Sequence, residues 1–225
     1  NLFRIFYMKF KILLFIFVIL LIILSSLFFL KNNKNFIISF YNQYRPYILN
    51  GGGKECIKNL KDINASFKYI GNSGSKDCPI LNAVKISKYD KTILSSSFIA
   101  SCPTALNIGL WLDEINAKKI THLGTLNCRK RRFSGIQSEH SFGLAIDVTQ
   151  IDNSLIRRDW KKSGNKGDKL RNAAKSACDY FSNVLTPNTN KLHYDHFHLD
   201  NGLGLGCGFG FTKMISFFRK MMNYI

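Results

Sequence analysis

Three of the chain's five histidines fall within six positions, in the run His193-Tyr194-Asp195-His196-Phe197-His198-Leu199-Asp200. Side chains two apart on a strand share a face, so His196 and His198 would present two imidazoles to one side of a sheet. A second run, Ser138-Glu139-His140-Ser141-Phe142-Gly143-Leu144-Ala145-Ile146-Asp147, sets a histidine ahead of a carboxylate with six residues between them. Read as a strand, its second half puts Leu144, Ile146 and Val148 on one face and Gly143, Ala145 and Asp147 on the other. The first face packs. The second holds a carboxylate beside two residues with almost no side chain, which leaves room for a metal and a substrate. His140, in the turn ahead of that strand, is placed to curl back toward Asp147. Two neutral imidazoles and a carboxylate suit zinc, and three protein ligands leave the fourth position of a catalytic zinc open. The expected ligands are therefore His140, Asp147 and His198. Either run alone is weak evidence; their joint occurrence in a chain with so few histidines carries the inference. His122 lies outside both runs and is read as structural.

These side chains need a frame. A helix is expected over Ala105 to Lys119, where Leu106, Ile108, Leu110, Trp111 and Ile115 form an apolar stripe and Pro103 sits near the first turn. Another is expected over Lys169 to Leu185, where Leu170, Ala174, Ala177, Phe181 and Val184 recur at three- and four-residue steps before Pro187. Ile120 to Leu126, Phe142 to Ile151 and Leu192 to Leu199 read as strands. Helices mixed with a few short strands predict an α+β domain, in residues 55–208. The 225-residue chain has room for one such domain once its apolar N-terminal segment is set aside.

That segment, Ile12 to Leu30, carries no charge over nineteen positions, long enough for a helix to cross the ~30 Å hydrocarbon core. It is read as a transmembrane anchor following a short flank of residues 1–11. The alternative, a cleaved signal peptide, has a shorter apolar region and a small-residue cleavage site that Phe28-Phe29-Leu30-Lys31 lacks. Residues 31–54 read as a linker ending in Gly51-Gly52-Gly53, and residues 209–225 as a basic amphipathic segment, docked on its own domain or lying on a membrane surface. All six cysteines follow the anchor. Their even number suits disulfides in an oxidising, extracytoplasmic compartment, with fifteen pairings open. A formal net charge of +18 favours polyanionic surroundings such as acidic lipid headgroups or cell-wall polymers, and the compartment argues against nucleic acid.

The Ser138-x-His140-x-x-Gly143-x-Ala145-x-Asp147 pattern and His196-x-His198 resemble the two motifs of zinc peptidases that include D-Ala-D-Ala dipeptidases and carboxypeptidases. From about Cys56 to Cys207 the chain is closer still to the extensin-like C-terminal domain family. The likeness rests on Cys102-Pro103 before a tryptophan-bearing helix, the Cys128-Arg129 pair, the Ser-Glu-His segment, a cysteine-bearing helix and the His193 to Asp200 ending. The resemblance implies an α+β fold with a small antiparallel sheet around a zinc site, shared by these peptidases and by Hedgehog signalling domains. It also places Arg129 where an arginine binds a substrate carboxylate or polarises its carbonyl. Ser138 is read as orienting a ligand or touching substrate, with a simple turn residue as the alternative. For the acid/base role three residues compete. Relatives with E-x-x-H point to Asp195; relatives with H-x-x-H-x-H point to His193 and His196. On a regular strand Asp195 faces away from His198, so His196 ranks ahead of it, and histidine titrates near operating pH. Trp160 is read as a packing residue in a loop. The expectation is a membrane-anchored, extracytoplasmic zinc peptidase or amidase acting on peptides of peptidoglycan. The alternative is a noncatalytic wall- or ligand-binding domain that keeps its zinc.

Overall fold

A computed structural model of the chain describes residues 17, 19–22, 25, 28, 33, 38–40, 42–45, 53–132, 134–202 and 207. The chain divides into two compact units, Asn1–Asn42 and Gln43–Ile225, and the elements below belong to the second. Most of the expected anchor and all of residues 209–225 lie outside the described residues. Among the described residues, no helix is long and apolar enough to cross a membrane.

The second unit is α+β, with two sheets. Strands β1 (Ser66–Gly74) and β2 (Pro79–Lys88) form an antiparallel hairpin, and β4 (Phe98–Ser101) pairs with the other edge of β2. The larger sheet runs β3 (Ile93–Leu94), β5 (Lys119–Gly124), β6 (Ala145–Ile151), β9 (Phe197–Asp200), β8 (Asn183–Leu185), with β7 (Ser154–Leu155) folded back on β6. Its pairings are antiparallel except β3 with β5. The single small antiparallel sheet expected from sequence is thus a six-stranded mixed sheet beside a three-stranded antiparallel one. The hairpin is hard to read from sequence because β1 buries neither face and its Lys, Ser and Gly residues blur any alternation.

Helices α1 (Gly53–Asp62), α2 (Cys102–Glu114), α3 (Ile156–Asp159) and α4 (Asn165–Ala177) pack on these sheets. Helix α2 starts a turn earlier than its apolar stripe suggests because Pro103 supplies the opening turn, where a missing N–H costs nothing. It stops at Glu114, just before Asn116 takes a positive φ of 48°. Its buried Ala105, Ile108, Trp111 and Leu112 face the core, and the Trp111 indole N–H donates to the Ala173 carbonyl of α4 at 3.0 Å. Helix α4 ends at Ala177 rather than Leu185. The apolar spacing continues past it by coincidence: Phe181 packs edge-on against Trp111 from beyond the helix, and Val184 belongs to β8.

All six cysteines are paired. Cys56–Cys102 joins α1 to the first turn of α2, Cys78–Cys128 ties the hairpin to the loop after β5, and Cys178–Cys207 closes the end of α4. Cross-links spanning loops of this length restrict the unfolded chain by roughly 3–4 kcal/mol each.

Candidate metal centre

Strands β6 and β9 pair with Asp147 directly opposite His198. Ile146, Val148, Phe197 and Leu199 turn their side chains into the core, so Asp147, His198 and Asp200 share the opposite face. His140 arrives from a 3₁₀ turn, Glu139–Phe142, closed by Gly143 in the left-handed region at φ 65°. Strand β6 therefore begins at Ala145 and not at Phe142. Gly143 is small for a different reason from the one its spacing suggests: a Cβ there would meet the Ser101 amide nitrogen and the Ala100 backbone. The expected curl of His140 toward Asp147 is present, with Nε2 3.2 Å from Asp147 Oδ2 and 3.1 Å from His198 Nδ1. His198 Nδ1 in turn lies 2.9 Å from Asp147 Oδ1. One ligand atom from each of the three residues falls within 4.8 Å of the others.

The outer partners of the two rings decide which nitrogens face inward. His140 Nδ1 lies 3.2 Å from the Thr125 carbonyl, which only an N–H can satisfy, so its Nε2 is a bare lone pair. His198 Nε2 lies 2.9 Å from Asp200 Oδ2 and donates to it. Its Nδ1 then points at the His140 lone pair and at a carboxylate. Three acceptors converging on one point require a cation. In the metal-free chain a proton on His198 Nδ1 supplies it: burial works against the charged ring, but the bonds to Asp147 and Asp200 outweigh burial and push its pKa up to about 9. Burial would likewise raise Asp147, yet its close contacts with the His140 and His198 rings hold its carboxyl far below the usual range. A metal can take the proton's place. Two ligands at ~2.0–2.1 Å from a tetrahedral zinc lie about 3.3 Å apart, close to the separations here, and histidine ligands backed by a carbonyl and a carboxylate are the usual outer arrangement of such centres. The donor set fits zinc.

The side chains are mostly sheltered, His140 at 5 % exposure, His198 at 12 % and Asp147 at 19 %. On the β5 side Gly124 lies opposite Asp147, and a Cβ on it would meet nothing within 4 Å.

Around the triad the other residues sort by distance. Strand β9 starts at Phe197, so His196 reaches the site from the turn before the strand and not from a shared strand face. Its Nδ1 donates to Asp195 Oδ1 at 2.8 Å, and its Nε2 comes within 3.7 Å of Asp147 Oδ1. His193 ends a second 3₁₀ turn, Lys191–His193, where an extended strand is expected from sequence. Its ring centroid is 5.2 Å from that of His196 and 5.7 Å from that of His198, and its Nδ1 bonds Asn190 Oδ1 at 2.8 Å. Burial, followed by the nearby His198 and His196 charges, lowers its pKa to about 4, so it is neutral at ordinary pH. Arg129 is exposed, with its backbone N–H held by Ser141 Oγ at 3.1 Å, next to the Cys78–Cys128 link. Ser138 is buried ahead of the His140 turn and its hydroxyl makes no capping bond; its amide donates to the Arg129 carbonyl. Trp160 is buried, its ring edge-on to Phe197 and its N–H on Asn188. His122 stands apart, bonded to the Ser96 carbonyl and packed on Phe98.

Sequence reasoning did not assign Thr125, Asp200 or Glu139 to this centre. For Asp200 a signal exists, since it follows His198 by two on the same strand face. Thr125 acts through its carbonyl, to which residue type is blind.

The domain is α+β, with Asp147 and His198 on adjacent antiparallel strands and His140 brought to them by the 3₁₀ turn. The model of the extensin-like protein C-terminus matches residues 54–207, and the chain belongs to that family. No curated protein and no solved structure matches the chain.

Proposed function

We propose that this chain is a zinc-dependent peptidase or amidase, membrane-anchored with its domain on the extracytoplasmic side, acting on peptides of the cell wall. One observation carries the reading. The three inward acceptors of His140, Asp147 and His198 form a cation site beside an imidazole, His196, whose far nitrogen is held by a carboxylate. A purely structural site has no use for that second, oriented base. Three disulfides support an oxidising compartment, and the +18 charge supports an acidic polymer as surroundings.

Zinc bound by the three residues would supply Lewis acidity toward a scissile carbonyl and make water a nucleophile near neutral pH. The chain's own groups do the rest. Asp195 fixes the His196 tautomer with Nδ1 protonated, so Nε2 faces the site as a base and can return its proton to a departing amine. The Asp195 carboxylate also stabilises the imidazolium formed in between. His193, neutral and oriented by Asn190, offers a second acceptor beside the His196 ring. Arg129, exposed beside the Cys78–Cys128 link, would hold a substrate carboxylate through a bidentate fork, and Ser138 is the N-cap residue of the turn that presents His140.

The test uses the purified full chain, which should hold about one zinc and release fragments from peptidoglycan, with release stopped by a chelator and restored by zinc. Release that ignores the chelator contradicts the mechanism. Wall binding without turnover, unchanged in an Asp195→Ala/His196→Ala double variant, would instead support a noncatalytic binding domain.

A further inference from the structure

Ahead of the family-matched region, at residues 42–45, the chain is helical and sends Arg45 into the domain interior. Its side chain is fully buried. One guanidinium nitrogen donates to Glu139 Oε1 at 2.7 Å, another donates to the Gln137 carbonyl at 2.8 Å, and the guanidinium carbon sits 4.5 Å from the centre of the Phe142 ring. These contacts fall at positions 137, 139 and 142, on both sides of His140.

The carboxylate that Arg45 meets is itself 1 % exposed, and its other cation, Arg131, is 43 % exposed and shares the same oxygen. A buried charge left with only a half-solvated partner is costly, and the segment carrying it shifts to recover solvent. Glu139 is next in sequence to His140. It also packs against Gly202 together with Asp200, the residue that fixes the His198 tautomer. Movement of Glu139 therefore reaches both histidines, His140 through the backbone and His198 through Asp200.

We propose that Arg45 is a positioning residue of the His140–Asp147–His198 centre, acting through Glu139, and that the functional unit begins upstream of the matched domain. This rests on the reading of the triad as a metal centre. A lysine could donate to Glu139 but could not also fork to the Gln137 carbonyl or stack on Phe142 as a plane. The Arg45 contacts thus set the 3₁₀ turn that aims His140.

The experiment measures zinc affinity by chelator competition and the visible spectrum of the cobalt-loaded full chain, with circular dichroism as a check on folding. Arg45→Ala should weaken zinc binding about tenfold or more, the scale of losing an outer partner of a metal ligand, and alter the cobalt bands. Arg45→Lys should fall between it and the parent. In Arg45→Ala/Glu139→Gln the stranded charge is gone, so the loss should shrink to that of Glu139→Gln alone. If Arg45→Ala does not fold, Arg45→Lys decides: unchanged affinity and spectrum overturn the proposal. Additive losses in the double variant, or parental zinc binding and cobalt bands in Arg45→Ala, also overturn it while leaving the centre intact. A parent chain that takes up neither metal overturns the centre itself.

Discussion

If the triad holds zinc as proposed, zinc and a proton would compete for one atom of this site, His198 Nδ1. Asp200 accepts the Nε2 proton of the ring, so any second proton sits on Nδ1 against Asp147. Burial opposes that charge, but the two carboxylates outweigh it and raise the pKa to about 9. Because the value is raised, the proton occupies the ligand atom everywhere below about 9 and leaves it only above. Metal must displace it, and each pH unit below that value weakens apparent affinity about tenfold, or ~1.4 kcal/mol. At pH 7 the chain should therefore bind zinc roughly 100-fold more weakly than at its alkaline limit, a difference of about 3 kcal/mol. Competition against a chromophoric chelator of known pH dependence, from pH 6.5 to 9, gives the slope. Calorimetry in two buffers of different ionisation enthalpy counts the protons, with about one per zinc expected from His198 near pH 7.5. An affinity flat between pH 7 and 9, or binding that releases no proton, would refute the assignment of Nδ1 as the ligand atom.

Two further outcomes follow from the partners of the rings. In Asp200→Asn, the oxygen that accepts from Asn183 and Gly202 must stay an oxygen, which turns the amide NH₂ toward His198 Nε2 and forces the proton to Nδ1. Zinc affinity should drop by about 10–100-fold with unchanged circular dichroism, and parental affinity would remove Asp200 from the site's support. Asp195→Asn should keep its zinc and lose roughly 100-fold or more in turnover of a peptidoglycan fragment, since His196 loses the counter-charge that stabilises its imidazolium. Zinc loss in that variant would make Asp195 a ligand.

The triad was legible because its geometry follows from local rules. Alternation on β6 separates Asp147 from Ile146 and Val148, and antiparallel pairing sets it across from His198. The placement of Asp195 and His196 was not, because parity arguments hold only inside a strand and β9 begins at Phe197, which frees both from its face rule. Helix α4 was overextended for a related reason: Phe181 and Val184 are apolar at helical spacing, but each is buried by tertiary packing beyond the helix end. Arg45 was illegible altogether. A single arginine in an Asn- and Tyr-rich stretch looks like linker, and its role depends on a buried carboxylate 94 residues away.

The most direct test of the central claim is metal content across four single variants of the full chain. His140→Ala, Asp147→Ala and His198→Ala should each lose most of their zinc, because a centre with three protein ligands cannot spare one, whereas His196→Ala should retain it near stoichiometry. Full zinc in His198→Ala, or loss confined to His196→Ala, would contradict the account.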